Sequence, residues 1–211
     1  MPSTLKTLDQ LKQDDCRLND GWDFRCVMHF DNMSYVAWNS KSREAIVVDP
    51  AREDLEMILS ETEKLKDYRF IAVIDTHTHA DHISGAAKLA AQLSVPLIMQ
   101  VHAPSHKVDI RISRDTTLPT AAGPLKFLVT PGHTADCMTP IWGPFIFTGD
   151  TLMYGDTGRD DLPTGDGAAH YDSLQKIKAH AKPQQLMLTN HDDPGRVSTW
   201  ATQLKICPQL T

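Results

Sequence analysis

The 211-residue sequence has no apolar run approaching the roughly 20 residues of a membrane-spanning helix, so no membrane role is expected. It has no CxxC pair: Cys16, Cys26, Cys137 and Cys207 are scattered, which fits reduced thiols better than a disulfide framework. It has no basic cluster, with 21 Lys and Arg against 27 Asp and Glu and a net charge of −6. That balance argues against nucleic acid as a partner, because phosphate binding needs concentrated cations. The opening stretch, MPSTLKTLDQLKQDD, lacks the apolar core of a secretory signal, and no repeat, low-complexity tract or linker follows it. With 41% apolar and 23% charged residues, the composition is that of a globular chain able to bury a core. The expectation is a cytoplasmic enzyme: a single domain over residues 1–211, with residues 1–23 as a polar N-terminal segment.

What the chain does have is ten histidines, and their positions are informative. Around them, FRCVMHF, SYVAWNS and EAIVVDP read as an antiparallel meander, with turns expected at Asn32 and at Lys41–Arg43. Residues 53–66 have helical spacing, RFIAVID is a short buried strand, GAAKLAAQL is a helix and VPLIMQ is a strand. Later come LKFLVT, MTPIWG and PFIFTGD as strands, a Gly- and Asp-rich loop over residues 151–167, a helix over AHYDSLQKIKAHA, the strand QLMLTN, and a last helix from near Ser198. Two strand-rich halves with attached helices imply sheet packed on sheet with helices outside.

Residues 76–82 read Thr-His-Thr-His-Ala-Asp-His, between a buried strand and an Ala-rich helix. This is where an α/β sheet presents reactive groups, and imidazoles beside a carboxylate suit zinc or iron. His133 follows the strand KFLVT in TPGHT, Asp150 ends FIFTGD, and His191 follows QLMLTN. Each alone would be an ordinary loop residue, but together they deliver His77, His79, Asp81, His82, His133, Asp150 and His191 to one sheet edge. Asp49, after AIVVD, is a further strand-end group whose expected role is to accept a hydrogen bond and orient a ligand. His29, His102, His106, His170 and His180 lack this context and read as structural or surface residues.

The series THTHADH, PGHT, TGD and a late His191 resembles the metallo-β-lactamase superfamily from about Val27 onward. The resemblance implies an α+β fold, an αββα sandwich of two mixed sheets with outer helices, and a metal site at the edge between the sheets. Secreted β-lactamases fit poorly, since several of their ligand sets use a cysteine absent here. The di-iron oxygen reductases carry Glu where this chain has His79, and RNA-processing members carry a long inserted domain.

HADHISGA, PGHTADC with Cys137, FTGDTLMYGDTGRDDL, RVSTW and CPQL are similar to the persulfide dioxygenase branch. That resemblance implies one Fe(II) per chain held by His77, His133 and Asp150 as the catalytic set. It leaves positions for O2 and a thiol-derived substrate, glutathione persulfide or a related persulfide, which is oxidised to sulfite and thiol. His79, Asp81, His82, His191 and Asp49 then stand outside that set. The alternative is a glyoxalase II-like thioester hydrolase with two zinc ions or a mixed-metal pair, His77, His79 and His133 on one ion, Asp81, His82 and His191 on the other, Asp150 between. A third reading is a non-catalytic metal-binding relative.

Two positions depart from the dioxygenase pattern. Thr157 stands where Cys is usual, and Asp193 where Tyr is usual. Arg159 is the candidate substrate-binding residue, since a guanidinium can grip a carboxylate with two hydrogen bonds; the competing assignment is an ion pair with Asp156, Asp160 or Asp161. Asp166 and Asp172 read as capping or solvated. Trp38, Trp142 and Met153 are candidates for the contact of a homodimer, although such side chains are more often core.

Overall fold

The computed structural model describes residues 3–11, 18–30, 32–191 and 196–210. Two mixed sheets face each other. The first has the order β1 (Thr4–Lys6), β2 (Trp22–His29), β3 (Asn32–Asn39), β4 (Glu44–Val48), β5 (Arg69–Ile74), β6 (Leu97–Gln100), β7 (Ile110–Ile112). It is antiparallel up to β4 and parallel from β4 onward. The second has the order β13 (Ser198–Thr199), β12 (Leu186–Thr189), β11 (Phe145–Gly149), β10 (Met138–Trp142), β9 (Leu125–Val129), β8 (Thr116–Leu118). Only its β11–β12 pair is parallel.

Alternation along the strands sorts side chains into layers. In β4, Ile46 and Val48 point inward to meet Phe24, Tyr35, Phe127, Trp142, Phe145 and Phe147 between the sheets, while Ala45 and Val47 point outward. The outward set is covered by the helices α2 (Leu55–Lys64) and α3 (Ala86–Leu93), through Leu55, Ile58 and Leu89. On the opposite outer face, Ile146 and Met187 lie under α4 (Gly167–His180) and α5 (Trp200–Ile206), through Leu174, Ile177 and Trp200. The result is the αββα sandwich. Among the described residues no helix is long and apolar enough to cross a membrane.

Several local expectations need correction. Asn32 is not a turn residue: it opens β3, paired opposite His29, and the positive φ of 55° falls on Phe30. The last helix, expected from near Ser198, begins at Trp200, after Ser198 and Thr199 pair with β12. Trp142 is fully buried and stacks edge-on against Trp22, and Trp38 is buried beneath Arg25, so neither is available to a second copy of the chain. The polar N-terminal segment supplies the edge strand β1 and the short helix α1 (Leu8–Leu11). Cys26, Cys137 and Cys207 are buried free thiols; Cys16 lies outside the described residues.

Asp166 is a cap, as its position implied: its carboxylate accepts from the backbone N–H groups of Ala168 and Ala169 and starts α4. Asp166→Ala is expected to lower stability by about 1 kcal/mol, read from the urea midpoint at unchanged slope.

Candidate metal centre

The ligand-type residues lie where strands end. His77, His79, Asp81 and His82 follow β5, His133 follows β9, Asp150 follows β11, His191 follows β12 and Asp49 follows β4. Parallel pairing of β4 with β5 and of β11 with β12 brings carboxyl ends together in each sheet. Facing sheets then bring the two sets together at one edge.

His77, His133 and Asp150 are all buried, and their ligand atoms lie within 4.8 Å of one another. Asp150 Oδ2 is 3.6 Å from His77 Nε2 and 3.6 Å from His133 Nε2. The far side of each ring fixes its tautomer. The Thr76 hydroxyl donates its one proton to Asp49 Oδ2, 2.8 Å away, so His77 Nδ1–H must be the donor in the 3.1 Å contact with Thr76 Oγ1. His133 Nδ1–H donates to the carbonyl of Arg159 at 2.7 Å. Both Nε2 lone pairs therefore face a carboxylate oxygen with no proton between them. Three acceptors converging in a buried place fit a cation, and Asp150 Oδ1, also buried, has no hydrogen-bond partner. Burial, with the neighbouring His79 and His133, holds the His77 pKa well below its usual value, which keeps the ring neutral and its lone pair free. Burial also raises the Asp150 carboxyl.

The other predicted groups form a rim around this triad. Asp49 Oδ1 accepts from Thr76 N–H at 2.7 Å, so Asp49 orients the residue that in turn orients His77. His79 Nε2 lies 3.4 Å from Asp49 Oδ1, and His79 groups with Asp49 and Asp75 on one side and with Asp81 and His82 on the other. Burial pushes its pKa down, but Asp49 and Asp75 outweigh burial and raise it to about 9. His82 Nδ1–H donates to Asp81 Oδ2 at 3.0 Å, and His191 Nε2 sits 3.3 Å from Asp81 Oδ2 and 3.4 Å from Asp150 Oδ2. Burial works to raise the Asp81 carboxyl, and the hydrogen bonds from His191 and His82 overcome it, holding it far below the usual range.

A cleft of about 650 Å³ opens onto the triad, lined by Asp81, His133, Asp150, Met153, Thr157 and Arg159 among others. Met153 thus faces the cleft. Arg159 is exposed and makes a bidentate pair with Asp161, at 2.6 and 2.9 Å, one of the pairings set against substrate binding. Thr157 lies at the cleft wall where the resembled family has sulfur, and Asp193 lies outside the described residues. Sequence reasoning missed three groups. Asp75 is buried beside His79, with burial as the main cause raising its carboxyl to about 6. Asp136 accepts from Thr78 and Thr134, tying the two histidine loops together. His170, read as structural or surface, is buried next to the ligand loops. The apolar strand before Asp75 and the helix start near His170 were visible, but neither marks a side chain that reaches the centre.

The fold and this strand-edge cluster define a class, and the metallo-beta-lactamase superfamily profile matches residues 30–184; the chain belongs to that superfamily. Within it, the chain is 28% identical over 183 residues to the mitochondrial persulfide dioxygenase ETHE1 of Homo sapiens, spanning 84% of this chain and 71% of the human protein. The crystal structure of ETHE1 from Myxococcus xanthus superposes with a TM-score of 0.77 at 28% identity, covering 88% of this chain and 83% of that one. The hydroxyacylglutathione hydrolase of Citrobacter koseri is 30% identical over 150 residues, spanning 71% of this chain and 57% of that enzyme.

Proposed function

We propose that the protein is a mononuclear non-haem iron persulfide dioxygenase, a cytoplasmic single-domain enzyme that converts glutathione persulfide or a related persulfide, O2 and water into thiol and sulfite. The observation that carries this reading is the compact, acceptor-only triad of His77, His133 and Asp150. Two imidazoles and one carboxylate suit Fe(II). Similarity to two ETHE1 proteins supports the same assignment.

His77, His133 and Asp150 would hold the iron. When bound, Fe(II) supplies the electrons that make oxygen reactive toward a sulfur nucleophile. The chain supplies the rest. Thr76 and the Arg159 carbonyl hold both imidazoles in the tautomer that leaves Nε2 unprotonated. The cleft wall formed by Met153, Leu162 and Gly158 shields one side of the reacting sulfur from water. Arg159, at the cleft mouth, exchanges Asp161 for a substrate carboxylate, an exchange made easy by the weakness of an exposed ion pair.

Arg159→Ala is expected to raise KM for glutathione persulfide roughly threefold to tenfold with metal content unchanged. The bond to His133 comes from the main chain of Arg159 and survives the substitution. Metal analysis beside steady-state kinetics checks this, and metal loss would make Arg159 structural.

A second reading, thioester hydrolysis at a two-metal site, is favoured by one observation: His191 Nε2 lies close to both Asp81 and Asp150. Anaerobic metal titration separates the two. The dioxygenase reading predicts saturation at one Fe(II) per chain and no thiol release from an S-acylated glutathione. Two bound ions with thiol release would transfer the assignment to the hydrolase.

A further inference from the structure

α4 begins at the metal centre. The backbone N–H of Asp166 donates to Gly132 O at 2.8 Å, which lays the first turn of α4 on the loop that carries His133. Gly132 has a φ of 150°, and a Cβ there would fall on the Cα of His170. The two backbones are therefore in direct contact, one residue before the ligand.

The His170 ring extends the contact to the other ligand loop. His170 is 3% exposed. Its Nε2–H donates to the carbonyl of Thr151, the residue after Asp150, at 2.7 Å, and its Nδ1 lies 3.8 Å from Asp160 Oδ2 in the cleft loop. On the other side of the turn, the carbonyl of Asp150 accepts from Gly158 N–H at 2.9 Å. The peptides on both sides of Thr151, the residue next to Asp150, are thus held, Asp150–Thr151 by Gly158 and Thr151–Leu152 by His170. Thr151 is buried, so without the imidazole its carbonyl would have to rotate to find a partner, and Asp150 would turn with it.

We propose that His170 is a positioning residue for the metal centre: its Nε2 bond to Thr151 and its backbone contact with Gly132 set the distance between Asp150 and His133. The inference rests on those two residues being metal ligands, and not on which reaction the metal serves. α4 itself is held by Leu174 and Ile177 in the outer core, so the fold does not depend on the imidazole bond.

The test compares the unaltered protein with His170→Leu, His170→Asn and His170→Gln. Gln extends a donor about as far as Nε2 does, Asn is polar but too short, and Leu fills space without a donor. Co(II) is titrated into each metal-free protein and followed by its visible absorption, with thermal midpoints measured in parallel. His170→Leu and His170→Asn are expected to bind Co(II) about tenfold or more weakly, with a changed absorption band. His170→Gln is expected to restore affinity to within about threefold and to restore the band, while metal-free midpoints do not follow that order. Unchanged affinity and spectrum in both Leu and Asn proteins would overturn the proposal. So would a loss shared by Gln that simply tracks thermal stability. Failure of the unaltered protein to bind Co(II) would instead overturn the ligand assignment, and the inference with it.

Discussion

Asp150→Ala protein is expected to fold, to hold no iron and to consume no oxygen. Asp150 Oδ2 is the atom shared by His77, His133 and His191, at 3.6, 3.6 and 3.4 Å, so its removal leaves the Nε2 lone pairs of His77 and His133 without the carboxylate that completes the triad. Metal affinity should fall by more than about a hundredfold, beyond what loss of an outer partner does. Turnover should fall below about 1% of the parent. Stability should move the other way. Without metal, Asp150 is a buried carboxyl whose Oδ1 has no hydrogen-bond partner, and burial raises its pKa. The metal-free Asp150→Ala protein should therefore be at least as stable as the metal-free parent. Iron analysis, oxygen uptake and urea melts of both metal-free proteins check the three parts. An unfolded variant would contradict this division between binding and stability.

Gly158→Ala is expected to be nearly as damaging by a different route. A Cβ at Gly158 would land on the carbonyl oxygen of Asp150 and come within 3.0 Å of His133 Nδ1. The obstacle is backbone, which cannot step aside as a flexible side-chain tip would. The substitution must push apart Asp150 and the Arg159 carbonyl that holds His133, and the Gly158 N–H bond to Asp150 goes with them. The expected result is a destabilisation of about 3 kcal/mol together with loss of tight metal binding. Thermal melts with and without Co(II) read both, and a variant with parental metal affinity would show that the cleft loop is free to relax. This close approach gives a physical reason for glycine in the Gly-Arg pair of the loop.

The triad residues were legible because each sits directly after an apolar strand, and strand ends are where a sandwich of mixed sheets gathers its reactive groups. THTHADH added a density of ligands that loops seldom carry. The sandwich followed from two strand-rich halves with attached helices, whereas the facing of Ile46 and Val48 inward and Val47 outward came only with the structure, because the apolar run AIVV shows no alternation. The remainder was hidden for specific reasons. β7 and β8 are three residues each, too short for a periodic signal, and β13 is two. His170 lies on a helix whose start was legible, but its role depends on Gly132 and Thr151, distant in sequence and joined only by packing. Asp75 closes the apolar run RFIAVID and read only as the end of a strand, because its burial beside His79 depends on how the following loop folds back. Arg159 shows the converse: two assignments were open, and the structure shows the pair with Asp161.

Oxygen uptake by anaerobically Fe(II)-loaded protein given glutathione persulfide tests the central claim most directly. The account predicts uptake matched by sulfite, one sulfite for each O2 consumed, and neither from the Asp150→Ala protein. No uptake by protein that demonstrably holds one iron per chain would contradict it.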